Sequence, residues 1–446
     1  MGGWMQHSLR ATTLLGLLGV VEVSRAHAQQ ELDPDPLASA EARIEDLVGP
    51  QAEANLFSGL ILVARGRQVL FERAFGYSDW ELKALNTPST RFGIASMAKA
   101  MTGALVHVLE AESRLDLDAP IEQYLPGFPR GPNGGVPTVR QLLNHQAGVP
   151  HRVTEPWEES RYLSPEAIVE RVKAAGLLFE PGSRRLYSSA GFTCLARIAE
   201  VVEGRPFEAI LQEFVFEPAQ MSSAVSETGQ RLMPRRAMPH RLGADEEQVV
   251  VKKSPFKDLR FLTGAGSVYA TAQDLLTFVA SVSSGTFGVA VRDEVVGGDP
   301  DEWRGWAGRT NGYEGWVDIH PGRDLVLVVL TNLQSAANWQ LHEQIRNVLI
   351  GQPSRTIPLP PAVTASFEEP ESLVGSFGPA EITYADGELS RGDNEFYPTD
   401  GGRYYIPASG TLMRFRRDTT GRVDAIISIG GDGRENVLQR SNRDGS

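Results

Sequence analysis

The chain of 446 residues contains one cysteine, Cys194, so no disulfide can form within it. That thiol lies in the apolar stretch YSSAGFTCLARIAEVVEG, where a buried structural role is expected and nucleophilic chemistry is not. Basic blocks are missing too, and the net charge is −13. A surface of that sign repels nucleic acid and anionic membranes, which excludes both as partners. No apolar run is long enough to span a bilayer. The nearest, residues 11–21, is short and is followed by Glu22 and Arg25. With the small-x-small triplet Ala26-His27-Ala28 it reads as a cleaved export signal over residues 1–28, cut after Ala28. A periplasmic or secreted protein without a stable membrane anchor is therefore expected. No Gly-x-Ser-x-Gly elbow surrounds any serine, and no Gly-rich phosphate or dinucleotide loop stands between a strand and a helix. His151, His240, His320 and His342 are scattered without metal-ligand spacing, so neither a metal nor another cofactor is expected.

What is present is an ordinary globular composition, 41% apolar and 22% charged, with length for two or three domains. Residues 29–52 begin acidic, Pro-containing and poor in apolar residues, and read as a leader segment without a core of its own. Two hairpins follow, far apart. The first is SGLILVAR and QVLFERAFG around Gly66-Arg67; the second is EGWVDIHP and DLVLVVLTN, whose unbroken apolar run marks a central strand covered on both faces. Between them the pattern is helical. Ser164 as N-cap and Pro165 behind it open a helix over Pro165–Ala175, further helices start near Gly191 and Ala272, and one over 335–349 closes the unit. The fold class is thus α/β in the α+β sense: one antiparallel sheet flanked by helices, built from both ends of a domain over 53–350, with a helical lobe inserted. Residues 351–366 form a Pro-rich linker, and 367–446 alternate around Asp-Gly, Ser-Gly and Thr-Gly turns as a small β-barrel or sandwich.

One segment carries candidate chemistry. In FGIASMAKAMT, Met97, Met101, Leu105, Val108 and Leu109 recur at helical spacing, which sets the Lys99 amine one turn above the Ser96 hydroxyl. In the first turn of a helix, a serine alkoxide is also favoured by the positive end of the dipole. Such a pair needs a proton shuttle, an oxyanion hole and a polar wall for substrate.

The blocks FGIASMAKAMTG, TVRQLLNHQAGVP, LYSSAGFTCLARIAEVVEG, GAGSVYATAQDLLTFVAS and WAGRTNGYEGWVDIHP with LVVLTN resemble, in that order, the signatures of serine β-lactamase-related hydrolases. That group holds class C β-lactamases, DD-peptidases, D-aminopeptidases and family VIII carboxylesterases. The resemblance implies a β-lactamase/transpeptidase-like fold over about 53–350. Ser96 then matches the acylating nucleophile and Lys99 the lysine that helps deprotonate it. Tyr187 matches a relay tyrosine, whose phenol Lys99 would hold ionised or well hydrogen-bonded. The oxyanion hole would combine the Ser96 N–H with one from the strand near 311–314. His145 matches a loop histidine of structural character.

The substrate wall would comprise Ser189, Arg309, Thr310 and Asn311, and here the chain departs from its relatives. Ser189 stands where the family has asparagine, and Arg309-Thr310-Asn311 stand for His-Thr-Gly or Lys-Thr-Gly. Trp303, Trp306, Tyr313 and Trp316 around that block either line an acyl pocket or pack in the core. The implied function is an exported serine hydrolase acting through an acyl-enzyme on a carboxylic ester or small D-amino acid amide, its partner a small-molecule ester or peptide substrate. The alternatives are a transacylase on the same residues and a non-turnover sensor of cell-wall peptides. The C-terminal domain resembles the lipocalin-like appendages of some of these hydrolases.

Overall fold

The apolar runs join into one sheet in the computed structural model, which describes residues 36–441 except 230–231, 246–247, 364–366, 368, 386, 392–393 and 430–434. The expected export signal lies outside the described residues. In chain order, helix α1 (Ala40–Glu53) precedes strands β1 (Gly59–Arg65) and β2 (Gln68–Phe75). The helical lobe contains α2 (Ala98–Ala111), α3 (Pro165–Ala175), α4 (Ser189–Glu203), α5 (Ala272–Ser283) and α6 (Val289–Val296). Strands β3 (Arg304–Thr310), β4 (Tyr313–His320) and β5 (Leu325–Thr331) follow, then α7 (Ala336–Leu349). The sheet order is β3-β4-β5-β1-β2, antiparallel throughout.

The two most apolar strands are central, as their composition requires. Every residue of β5 is buried. Alternation sends Leu60, Leu62, Val326, Val328 and Leu330 into the core shared with the helical lobe. Ile61, Val63, Leu325, Leu327 and Val329 enter a second core under α1 and α7. The edge strand β3 is mostly polar or small and stays open on one side.

The structure corrects one boundary. Residues 40–52 of the expected leader fall within α1, which buries Ala40, Ile44, Leu47 and Val48 against the back of the sheet. Four residues at helical spacing suffice because the helix covers one side only; averaged over the acidic segment, that stripe disappears. The Gln51 side chain then holds the Ile357 carbonyl at 2.8 Å, which pins the Pro-rich connection along α1.

Beyond it, the described strands from Gly375–Phe377 to Glu435–Gln439 pair with their sequence neighbours in two antiparallel sheets. A bridge between Phe377 and Arg440 brings the two ends of this meander together around Phe377, Ile382, Phe396, Met413 and Ile426. It docks on the hairpin of His240–Asp245 and Gln248–Lys253. Ala244, Val363, Tyr397 and Tyr405 form an apolar seam, beside which Arg241 pairs with Glu395 and Lys252 with Glu388 at 2.9 Å. Among the described residues no helix is long and apolar enough to cross a membrane.

Candidate active site

The short strand Phe92–Gly93 pairs with Val268–Ala270 and leads into the 3-10 turn Ala95–Met97 at the head of α2. Ala95 holds φ at +47°, a left-handed backbone that a residue with a Cβ adopts only under constraint. The constraint places Ser96, half-buried, at the start of the helix, where backbone N–H groups have no partner within the helix.

Lys99 lies one turn on, as the spacing predicts. Its Nζ donates to Ser96 Oγ at 3.0 Å and to the Ala265 carbonyl at 2.8 Å. The amine is 7% exposed, and burial lowers its pKa to about 7. At neutral pH a large fraction is therefore the free amine, able to accept the Ser96 proton.

Tyr187 O–H donates to Ser96 Oγ at 2.8 Å from the opposite side. Of the two states expected for this phenol, ionised or well hydrogen-bonded, the contact with Ser96 is the second. Burial raises the Tyr187 pKa, its hydrogen bonds with Ser96 and Ser189 only partly oppose this, and Lys99 Nζ sits over the ring at 4.9 Å from its centroid. Tyr187 is a phenol that donates; Lys99 is the group with the lowered pKa.

The segment carrying Tyr187 is fastened by loop 145–151. Ser188 caps α4 through the Gly191 N–H at 2.8 Å and donates to the Pro150 carbonyl at 2.7 Å. The Ser188 N–H donates to His145 Nδ1 at 3.1 Å, and the Ser189 N–H reaches His151 Nδ1 at 3.3 Å. Burial pushes His145 down to about 4, so it is a neutral acceptor that shapes the loop. Its ring and that of His151 flank Tyr187 at 4.7 and 5.3 Å between centroids. The buried Ser189 hydroxyl is beside the phenol.

Strand β3 forms the facing wall, with different residues than sequence reasoning assigned. A cavity of about 300 Å³ is lined by Ser96, Lys99, Tyr187, Gly305, Trp306 and Ala307 among others. A Cβ on Gly308 would run into the Ile94 carbonyl oxygen and come within 3.1 Å of Ser96 N, so only glycine fits there. Thus Trp306-Ala307-Gly308 is the block against the nucleophile. Arg309, Thr310 and Asn311 line a separate cavity of about 660 Å³. Arg309 Nε pairs with Glu314 at 3.0 Å, and the Asn311 amide is tied to the Pro255 carbonyl.

The turn explains the displacement. Thr310 pairs with Tyr313 across the two-residue turn Asn311-Gly312, with Gly312 at φ +80°. A turn of that length closes on a hydrogen-bonded pair, and alternation then gives Thr310 and Gly308 to β4. Ala307 and Arg309 direct their N–H and C=O groups along the open edge. Arg309, next to Gly308 at the Ser96 N, thus keeps an N–H on the open edge, whereas residues 311–314 belong to the turn and to β4. An Asn-Gly pair between two alternating runs is a hairpin signal, and it could have fixed this register from the sequence. Of the four tryptophans and tyrosines around the block, Trp306 alone lines the 300 Å³ cavity; it packs on Phe278 at 5.9 Å, while Tyr313 is buried and Trp316 stacks on His342.

The site thus sets an amine and a phenol on one serine hydroxyl, at a helix start beside an open strand edge, the set of groups that nucleophilic serine chemistry requires. A profile of the Beta-lactamase family matches residues 41–347, and the chain belongs to that family. It is 26% identical over 268 residues to the putative penicillin-binding protein PbpX of Bacillus subtilis, covering 59% of this chain and 66% of that one. It is 26% identical over 156 residues to the teichoic acid D-alanine hydrolase of Staphylococcus aureus, covering 35% and 37%. The chain thus spans less than two thirds of either relative. Its fold matches the crystal structure of the D-amino acid amidase of Ochrobactrum anthropi with a TM-score of 0.60 at 19% identity, over 71% of this chain and 98% of that one.

Proposed function

We propose that the protein is an exported hydrolase that cleaves carboxylic esters or small D-amino acid amides through an acyl-enzyme on Ser96. The observation that carries this reading is the Ser96 hydroxyl held at 3.0 Å from a lysine whose pKa is about 7 and 2.8 Å from a protonated tyrosine. Lys99 takes the Ser96 proton as Oγ attacks the carbonyl carbon. The Ser96 and Arg309 N–H groups hold the oxyanion. Tyr187 gives its proton to the departing alkoxide or amine, and the Lys99 ammonium, which holds the former Ser96 proton, restores the phenol. Water then attacks the acyl-enzyme, with the same groups taking its proton and returning Ser96 to the alcohol.

The choice of ester or small amide draws support from relatives whose names denote D-alanine hydrolysis and D-amino acid amide hydrolysis. Turnover is favoured over mere acyl binding because the unusual Arg309-Thr310-Asn311 triplet lies outside the cavity at Ser96. Purified protein should hydrolyse a chromogenic short-chain ester and take a fluorophosphonate label on Ser96, located by mass spectrometry. Ser96→Ala should lose the label and lower kcat by about a thousandfold or more. Stable labelling without turnover would mean a sensor, and retained activity a different nucleophile. Product analysis with a competing alcohol separates a transacylase. Export is tested by sequencing the N-terminus of the mature protein, expected at Gln29.

A further inference from the structure

The cavity at Ser96 extends well past the groups that carry the chemistry. From the turn at Ser96 it runs down one face of α2, where Lys99, Ala100, Gly103 and His107 follow at helical spacing. At about 1.5 Å of rise per residue, Gly103 stands about 10 Å and His107 about 16 Å beyond the nucleophile. Ser96, Lys99 and Tyr187 work at the head of this groove. The steps at the serine make no use of the rest of it.

That remainder is narrow and apolar. Ala100 and Gly103 give it a floor with almost no side-chain bulk, and Leu143 borders it on one side. On the other side α6 brings Val291 and Val295, one turn apart, and β3 brings Trp306, which packs on Phe278 at 5.9 Å. A Cβ built on Gly103 would lie 3.6 Å from Leu143 Cδ1, an ordinary van der Waals contact. The space over this glycine therefore takes a carbon atom without displacing the wall. Charge is kept to the margins: Arg185 and Glu294 are exposed at the rim, and the apolar floor ends at His107, whose Nδ1 lies 3.4 Å from Glu110.

We infer that this groove is a subsite for an unbranched apolar arm of the substrate, laid along α2 from the scissile carbonyl past Gly103, and that Ala100 and Gly103 set how long an arm is accepted. An extended chain of 1.5 Å bonds advances about 1.3 Å per carbon, so about four carbons reach the level of Ala100 and about eight that of Gly103. The substrate class is then a medium-chain ester or amide. Water favours the arm's transfer into the groove by about fourfold per methylene fully covered, and by about twofold where the open side leaves half of it wet. This rests on the hydrolase reading above and names the substrate class of that site. The arm leads from the carbonyl as either the acyl chain or the alcohol.

Two ester series on the full-length mature protein separate those sources. The p-nitrophenyl esters of acetate, butyrate, hexanoate and octanoate carry the arm on the acyl side; ethyl, butyl, hexyl and octyl acetate, followed by acid release, carry it on the alcohol side. In one series kcat/KM should rise at every step, by about tenfold or more from first to last. Gly103→Leu should stop that rise after six carbons, and Ala100→Leu after four, so the break moves with the position of the added side chain. Leucine is close to alanine and well above glycine as a helix former, so α2 is retained in both. A flat profile in both series overturns the subsite, and so does a rise that breaks at one length in both variants or in neither. If no ester is turned over and Ser96 takes no fluorophosphonate, the hydrolase reading fails by itself. Calorimetry on Ser96→Ala then decides the groove: p-nitrophenyl octanoate or octyl acetate must bind about tenfold more tightly than its two-carbon counterpart, and must lose that gain when Gly103→Leu is added.

Discussion

A buried amine whose hydrogen-bond partners are an alcohol and a carbonyl is poorly compensated as an ammonium, and Lys99 is in that position. Two outcomes follow at this residue. The acid limb of kcat/KM should titrate with an apparent pKa about 7, activity rising as Lys99 loses its proton. Stability runs the same way. Below pH 7 both folded and unfolded chains carry the charge, and the full cost of burying it is present. Between about 7 and the ordinary value of 10.5 the unfolded chain binds more protons, so folding gains with pH and levels off above. Lys99→Met should therefore abolish activity yet raise Tm, most at pH 6 and progressively less toward pH 10, as read by calorimetry. Tyr187→Phe should lower kcat by about 10²–10⁴-fold, while Ser96 still takes a fluorophosphonate slowly, because Lys99 remains as base. Ser96 and Lys99 were legible in the sequence since they sit at a fixed helical spacing, and Tyr187 through the resemblance of its segment to the family's relay-tyrosine block. The protonation states were not, because they depend on burial by Phe192 and the Ala265 carbonyl, residues far off in sequence.

Among the elements, β3 shows where residue type misleads. Arg309-Thr310-Asn311 looks like a Lys-Thr-Gly block, and the cation and hydroxyl invite that match. The phase of a strand is set by its turn, however, and the Asn311-Gly312 turn hands the contact with Ser96 to Trp306-Ala307-Gly308. Gly308→Ala is the direct check: a methyl group there displaces the strand from the Ile94-Ser96 turn. The expected result is a loss of about 10²–10³-fold in kcat, the worth of one oxyanion donor, with a far-ultraviolet spectrum like that of the parent. Unchanged kinetics would place the oxyanion hole elsewhere. The central strand β5 was read correctly for a plain reason: residues apolar on both faces leave no other place in a sheet. Helix α1 was missed because one narrow stripe inside an acidic segment carries its whole packing.

At the scale of the molecule, the C-terminal β-region is held by an apolar seam and by Arg241 against Glu395, a carboxylate that also accepts from Tyr397. Arg241→Met should leave that buried acid with fewer donors and weaken the seam by roughly 1–3 kcal/mol. Calorimetry should then show the C-terminal region unfolding ahead of the rest. A single unshifted transition would mean the seam is carried by its apolar contacts alone. The sheet itself has a further consequence for how the enzyme comes into being. Its two central strands come from opposite ends of the domain, and the glycine that faces Ser96 follows it by most of that length. Such long-range pairing is slow to form, and a nascent chain that has not yet reached Gly308 and Arg309 lacks the strand that faces Ser96. The serine therefore becomes reactive only after that late strand has been made and the sheet has closed, so a chain exported unfolded would be inert until it reached its destination.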